Sequence, residues 1–168
     1  AATAYGKQDF KLAAERALAW LGEFPPEHPQ RAEVLSLQGD AFAGQGLVQE
    51  AIDSYALALK MPMPDELLGY VLDELTRHYQ SLKQFDNAVR MWEEFAREQP
   101  DHPFVINAAY WIGRLRAREG RFEEALQGNA TIARRYITDP SRDNVERLLI
   151  EQANIIARPP RVKRGEPK

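Results

Sequence analysis

The side chains that could carry chemistry are few and lie apart in the sequence. The histidines are His28, His78 and His102, and the chain has no cysteine, which excludes disulfides, cysteine nucleophiles and thiolate metal sites. His28 and His102 stand in matching Pro-Glu-His-Pro and Pro-Asp-His-Pro segments, so we interpret them as turn residues. His78 lacks the His-Glu-x-x-His partner of a zinc site. We therefore expect no metal site.

No other motif assembles a reaction centre. Gly39, Gly44 and Gly46 resemble a phosphate loop in spacing, but the Lys-Ser/Thr pair that such a loop requires does not follow. Adjacent carboxylates such as Glu93 and Glu94 point apart on a helix, because only residues three or four apart share a face. We predict that the chain is not an enzyme, has no catalytic residues and needs no cofactor.

The charge is modest overall but unevenly distributed. The 168 residues have a net charge of -3. Residues 1–100 carry 9 Lys+Arg and 16 Asp+Glu, giving -7, and residues 101–168 carry 13 and 9, giving +4. This balance argues against nucleic-acid binding, including by an RNA-reading helical repeat. No apolar run is long enough to span a membrane, so we predict no membrane span.

A unit of about 37 residues repeats along the chain. Four segments align without gaps on one alanine each, and these alanines are 38, 37 and 37 residues apart: Ala13, Ala51, Ala88 and Ala125. Three residues before each alanine is an apolar side chain, and a proline follows each of the first three units. A small residue lets two helices approach closely, and proline ends a helix. Each unit is therefore predicted to be a helical hairpin, with turns at Gly46, Lys83-Gln84 and Gly120.

Periodicity and stop signals place the helices. Pro64, Pro103 and Pro140 suit the first helical position, where no backbone donor is lost. The predicted helices are 9–23, 29–44, 47–60, 64–81, 85–98, 103–118, 121–136 and 140–157. The first unit starts near Ala2 to Gly6, within a hairpin, so we expect further sequence upstream in a longer parent chain.

These units resemble the tetratricopeptide repeat (TPR) family. The second unit matches best, at Gly39, Phe42, Ala51, Tyr55 and Ala58. The resemblance implies an all-α fold, a right-handed α-solenoid of TPR-type helical hairpins with a C-terminal capping helix. It places the repeats at 1–138, in units of about 1–25, 29–62, 64–100 and 103–138. A capping helix at 139–157 and a basic disordered tail at 158–168 complete the prediction.

Some positions depart from the family pattern. Thr76 replaces a glycine in the third unit, and Arg116 and Asn129 replace aromatic residues in the fourth. The longer unit is also similar to bacterial cell-envelope members of the family, which implies a periplasmic or cell-envelope location, with the cytoplasm left open.

The resemblance implies a protein-interaction scaffold whose concave groove binds a partner protein or peptide. Helical phase places the following residues in that groove: Tyr70, Asp73, Arg77, Asn107, Tyr110, Trp111, Arg114 and Arg118. Arg114 and Arg118 favour an acidic partner. The lysine–asparagine clamp of chaperone-binding members is broken, since Ser36 and Asp40 occupy its first positions.

Other functions stay open at this point. The units could be structural spacers of a larger multidomain or envelope-associated protein, with no specific groove ligand. They could also regulate an enzyme that lies elsewhere in a longer chain. Exposed apolar surface at Phe10, Leu12 and Trp20 would allow self-association of the chain.

Overall fold

The computed structural model describes residues 2–128 and Ile150, with side chains described from Asp9 onward. The chain forms two compact units, residues 1–83 and 84–168. The described residues contain no strand, and the helices are α1 (Ala2–Glu23), α2 (Arg31–Gln45), α3 (Val48–Ala58), α4 (Asp65–Ser81), α5 (Phe85–Glu98) and α6 (Val105–Arg118). Residues 122–128 are also helical. No described helix is long and apolar enough to cross a membrane.

In the unit formed by residues 1–83, each helix packs against the next along the chain, from α1 to α4. The close contact between α2 and α3 is possible because Gly39 has no side chain. A Cβ atom added at Gly39 would lie 2.8 Å from the ring of Tyr55, and that ring is fully buried. Ala51 and Ala58 are also fully buried on α3. The pairing of a small residue with an aromatic one, which the sequence predicts here, is the actual packing contact.

Three turns end the first helix of a hairpin with a left-handed residue. Gly46 has a φ of 82°, Lys83 of 58° and Gly120 of 80°. After α2, the N–H of Leu47 donates to the carbonyl of Phe42 at 2.9 Å, which satisfies an otherwise open helix end. The predicted turns at Gly46, Lys83-Gln84 and Gly120 are confirmed.

The first unit departs from the predicted register. A helix was predicted at 9–23, in a repeat that starts near Ala2 to Gly6, but α1 runs without a break from Ala2 to Glu23. Gln8 stands where the other units have their left-handed residue, and it remains helical. Ala13, the predicted packing alanine, is exposed, and Ala14 and Ala17 are buried instead. The prediction for this unit was wrong, and residue type alone does not explain it, because Lys83 adopts a left-handed φ at the matching position whereas Gln8 stays helical.

The two turn histidines have matching structural roles. The Nδ1 atom of His28 accepts the N–H of Gln30 at 3.3 Å, and Nδ1 of His102 accepts the N–H of Phe104 at 3.1 Å. Each imidazole also packs edge-on against aromatic rings, including Trp20 for His28. These contacts confirm the interpretation of both histidines as turn residues.

In the compact unit formed by residues 84–168, α5 packs against α6. Ala88, Trp92 and Leu115 are buried almost completely, as are Ala108 and Ala109. The helix that begins at residue 122 adds Ala125, which is fully buried like Ala51 and Ala88. The predicted packing alanine is therefore buried in each of the last three repeats.

Proline positions differ slightly from the prediction. Pro64 is the residue just before α4, with a φ of -64° and an extended ψ, rather than its first helical residue. Pro103 lies two residues before α6. The predictions for Asn129, Pro140 and the tail 158–168 lie outside the described residues, and so does the capping helix 139–157 except for Ile150.

Candidate functional site

One face of α6 is buried by packing, and the predicted groove residues lie on the rest of the helix. Its buried residues are Val105, Ile106, Ala108, Ala109, Ile112, Gly113 and Leu115. The predicted groove residues occupy the rest of the helix: Asn107 and Arg118 are exposed, and Tyr110, Trp111 and Arg114 are half-buried. All five predicted residues of α6 are thus outside the buried set.

Arg114 lies against two aromatic rings. Its Cζ atom is 5.7 Å from the ring centre of Tyr110 and 5.6 Å from that of Trp111. Nη1 of Arg114 donates to the Tyr110 hydroxyl at 2.5 Å, and the two rings meet nearly edge to face at 72°. Such contacts hold the guanidinium through cation–π attraction. We call Tyr110, Trp111 and Arg114 the α6 cluster.

The charge of Arg114 is not used in an ion pair with any described residue of its unit. No described carboxylate of residues 84–128 lies within ion-pair distance of it. The neighbouring basic residues differ in this respect. Arg116 pairs with Glu93 on α5, and Arg121 pairs with Glu124 at 2.5 Å and with Asp86 at 3.0 Å. Of these three arginines, Arg114 alone has no carboxylate partner among the described residues of the unit.

Arg116 makes contacts with two neighbouring helices of its unit. It stands where the sequence comparison with other units expects an aromatic side chain, and only 18% of its side chain is exposed. Its guanidinium pairs with Glu93, and Nη1 contacts the carbonyl of Glu124 at 3.5 Å. It therefore ties α5 to the helix that follows α6.

The predicted groove residues of α4 lie in the compact unit formed by residues 1–83. Tyr70, Asp73 and Arg77 are all exposed on this helix. The Tyr70 hydroxyl donates to Asp40 on α2, and Arg77 pairs with Glu74 one turn earlier. Because the chain divides into two units, these residues and the α6 cluster are two candidate surfaces, each described within its own unit.

Sequence reasoning missed the centre of the α4 surface. Oδ1 of Asp40 accepts hydroxyl hydrogens from both Tyr55, at 2.5 Å, and Tyr70. The imidazole of His78 stacks on the Tyr55 ring, with centroids 5.8 Å apart. Burial is the main cause that raises the pKa of both tyrosines, and the Asp40 carboxylate adds to it, so both hydroxyls stay protonated donors.

His78 is a buried group with an unmet hydrogen bond. Its Nε2 atom has no hydrogen-bond partner among the described residues and lies 3.5 Å from Oε2 of Glu74. Burial lowers the pKa of His78, and the charge of Arg77 lowers it further, while Asp40 acts in the opposite direction. The sequence signal is the spacing of Tyr70, Glu74 and His78, which at intervals of four places all three on one face of α4.

The residues predicted to drive self-association differ in their surroundings, although Phe10 and Leu12 are both partly exposed. The Phe10 ring covers Gly44, where an added Cβ would lie 2.5 Å away. Trp20 stacks on Phe24, with centroids 4.6 Å apart, while Leu12 projects from α1 with 46% of its surface exposed. Self-association stays a prediction.

Comparisons with known proteins agree with this architecture. The family model described as "Tetratricopeptide repeat" matches residues 1–66 and 74–140. A solved structure of nearly identical TPR-like repeats from a putative kinesin light chain of Podosopora anserina is 19% identical, with a TM-score of 0.55 over 97% of this chain and 94% of that one. A point variant of the same repeats is 18% identical, with a TM-score of 0.55 over 92% and 91%. No curated protein sequence matches the chain.

The helical hairpins, their left-handed turns and the small-residue contacts define an α-helical repeat protein. The chain belongs to the tetratricopeptide repeat family, and the all-α, TPR-type solenoid fold class is confirmed. TPR repeats generally mediate protein–protein interaction and are typically non-catalytic. Among the described residues, no group of three or more acidic or histidine side chains could hold a metal ion.

Proposed function

We propose that this chain is a protein-interaction module and that its α6 cluster binds a carboxylate of a partner protein or peptide. The observation that carries this proposal is the state of Arg114, whose guanidinium is positioned by Tyr110 and Trp111 but paired with no described carboxylate of its unit. Asn107 and Arg118 extend the surface along the same helix.

The physical argument is that less conformational entropy is lost on binding when the Arg114 side chain is already ordered. An arginine side chain carries about 2 kcal/mol of rotamer entropy, and part of that is already lost when its guanidinium lies on two rings. Arg114 uses one donor on Tyr110, which leaves the other N–H groups for a carboxylate. A planar guanidinium can bind a carboxylate through two parallel hydrogen bonds, and tyrosine, tryptophan and arginine are the residues most enriched in binding hot spots.

The proposal includes no chemical step. TPR repeats are typically non-catalytic, and no motif of the sequence assembles a nucleophile with a base. We therefore propose that the chain recognises a partner without catalysis and requires no cofactor.

The test is a peptide-array screen of the full chain against Arg114→Glu. Arg97→Glu is the matched control, because Arg97 is an exposed α5 residue that pairs with Glu94 at 3.3 Å and carries the same charge change. Circular dichroism checks that all three proteins are equally helical. We expect acidic peptides, especially those with a neighbouring aromatic residue, to bind the parent and Arg97→Glu but to lose at least tenfold in affinity for Arg114→Glu.

A screen in which Arg114→Glu and Arg97→Glu lose binding equally would mean that only the general charge of the surface matters. A screen without any selective binder, with all proteins folded, would refute the α6 proposal. That result would favour the interpretation of these units as structural spacers.

A further inference from the structure

The carboxylate of Asp40 lies where three helices meet. Asp40 is on α2, Tyr55 is on α3 and Tyr70 is on α4, and both tyrosine hydroxyls donate to the same oxygen, Oδ1. Tyr55 is fully buried, whereas 41% of Tyr70 is exposed. The two donors fix the carboxylate in one orientation, and neither of them bonds to its second oxygen, Oδ2.

No described basic side chain of residues 1–83 forms an ion pair with this carboxylate, although the charge of Arg77 acts on the neighbouring Tyr70 and His78. Within residues 9–83, no lysine, arginine or histidine lies within ion-pair distance of Asp40, and none donates a hydrogen bond to Oδ2. Hydroxyl donors solvate a carboxylate without neutralising it. Residues 1–83 also carry 12 Asp+Glu against 7 Lys+Arg, so the surrounding unit adds negative potential.

The α4 helix carries a second carboxylate and a buried histidine on the same face as Tyr70. Tyr70, Glu74 and His78 are four residues apart, and the charge of Asp40 is near enough to act on the pKa of His78. The side chain of His78 is only 10% exposed, and its Nε2 atom, which lacks a partner among the described residues, points at Glu74 from 3.5 Å. A buried polar atom without a partner destabilises the folded state, so its retention calls for an explanation.

Glu74 also pairs with Arg77, through the same oxygen, Oε2, that lies nearest to His78 Nε2. Arg77, which pairs with Glu74, has 67% of its side chain exposed, whereas Glu74 is only 15% exposed. Because the Arg77 end of this pair is exposed, water screens the interaction and it contributes little. Glu74 can therefore exchange Arg77 for another cation, and a small movement of its carboxylate would bring it within hydrogen-bond distance of His78 Nε2.

We propose that an arginine side chain of a partner protein binds at the Asp40 site. This site consists of Asp40, Tyr55, Tyr70, Glu74 and His78. Oδ2 of Asp40 accepts the guanidinium N–H groups, Glu74 supplies the second negative charge, and the exposed ring of Tyr70 offers its face to the planar cation. Binding of this residue gives Asp40 its missing counter-charge and lets Glu74 meet the unpaired nitrogen of His78. The proposal goes beyond the carboxylate recognition at α6 and does not depend on it.

The test uses the complete chain and three capped tripeptides as probes. Acetyl-Gly-Arg-Gly-amide carries the guanidinium, acetyl-Gly-citrulline-Gly-amide is its uncharged isostere, and acetyl-Gly-Glu-Gly-amide carries the opposite charge. Amide ¹H–¹⁵N NMR shifts are followed during titration of the parent, of Asp40→Asn and of Tyr70→Phe. Asp53→Asn is the matched control, since Asp53 is an exposed α3 carboxylate whose loss changes the net charge equally.

We expect the arginine probe to shift the amides around Asp40, Tyr70 and Glu74 saturably, and the citrulline probe to bind at least tenfold more weakly. Asp40→Asn should weaken binding at least tenfold, Tyr70→Phe about threefold to tenfold, and Asp53→Asn less than twofold. Equal loss in Asp40→Asn and Asp53→Asn, equal binding of citrulline, or no saturable shift would each overturn the proposal. If Asp40→Asn does not fold, Tyr70→Phe decides the question by the same comparison.

Arg114→Glu separates this proposal from the one for α6. The variant should keep the full response to the arginine probe. A loss of acidic-peptide binding in that variant, together with an unchanged arginine response, supports both proposals, whereas failure of either response refutes only the proposal to which it belongs.

Discussion

Replacing Gly39 with alanine tests the contact that joins α2 to α3. The new Cβ would lie 2.8 Å from two ring atoms of Tyr55 and 2.9 Å from a third, closer than side-chain atoms normally approach. Tyr55 has no free space to move into, because it is fully buried and its hydroxyl is bonded to Asp40. Either the ring or the helices must shift.

The magnitude follows from two opposing effects. Overpacking of a buried contact costs about 1–3 kcal/mol, and a rigid, hydrogen-bonded ring places this case in the upper part of that range. Alanine is a better helix former than glycine by about 1 kcal/mol, which offsets part of the cost. We expect Gly39→Ala to lower the free energy of unfolding by about 1–2 kcal/mol.

Gly22→Ala is the matched control. Gly22 is also helical, on α1, but a Cβ added there meets no atom within 4 Å. This variant keeps the gain in helix propensity without the clash, so we expect stabilisation of about 1 kcal/mol at most. Urea unfolding followed by circular dichroism measures both. If Gly39→Ala proves as stable as Gly22→Ala, the packing argument for this contact is refuted.

Three further predictions concern separate parts of the chain. Lys83→Gly should stabilise it by about 1 kcal/mol in urea unfolding, because Lys83 adopts a left-handed φ of 58°. Glu93→Ala should destabilise it by about 1 kcal/mol in the same assay, because the half-buried Arg116 loses its ion-pair partner. Unfolding of the parent at a series of pH values should show a loss of stability on acidification that His78→Phe reduces, because burial lowers the pKa of His78.

The sign of the pH effect follows from linkage. The folded-state pKa of His78 lies below the unfolded value of about 6.5, so the unfolded chain binds more protons between the two values. The contribution is fully present above pH 6.5 and is lost as the pH falls through the folded pKa. A parent and a His78→Phe variant with identical pH profiles would contradict this assignment.

Controls for the other two predictions are at hand in the chain. Gly46→Lys should cost about as much as Lys83→Gly gains, since Gly46 has a φ of 82°. Glu94→Ala should leave stability almost unchanged, because its pair with Arg97 is well exposed. Destabilisation by Lys83→Gly, or equal effects of Glu93→Ala and Glu94→Ala, would count against the respective explanation.

The repeat register could be predicted because it depends on short-range rules. Three turns follow from glycine or a lysine at one fixed distance before a buried alanine, and the contact of Gly39 with Tyr55 follows from residue size. The same rule failed in the first repeat, where Gln8 stays helical and α1 continues without a break, although Lys83 adopts a left-handed φ at the matching position.

The Asp40 site could not be predicted in the same way. Helical phase places Tyr70 on an exposed face of α4, but the acceptor of its hydroxyl is on α2, 30 residues earlier. Such a contact depends on the packing of three helices, which no spacing within one helix reveals. The burial of His78 against Tyr55 is a consequence of the same packing.

The central claim, that Arg114 binds a carboxylate of a partner, is tested most directly by a charge-exchange cycle. The acidic peptide that binds the parent best is compared with the same peptide carrying lysine at its acidic position, against both the parent and Arg114→Glu, by fluorescence polarisation. We predict that each single change weakens binding at least tenfold and that the two changes together restore a large part of it. Additive losses, with no recovery in the doubly changed pair, would contradict the claim.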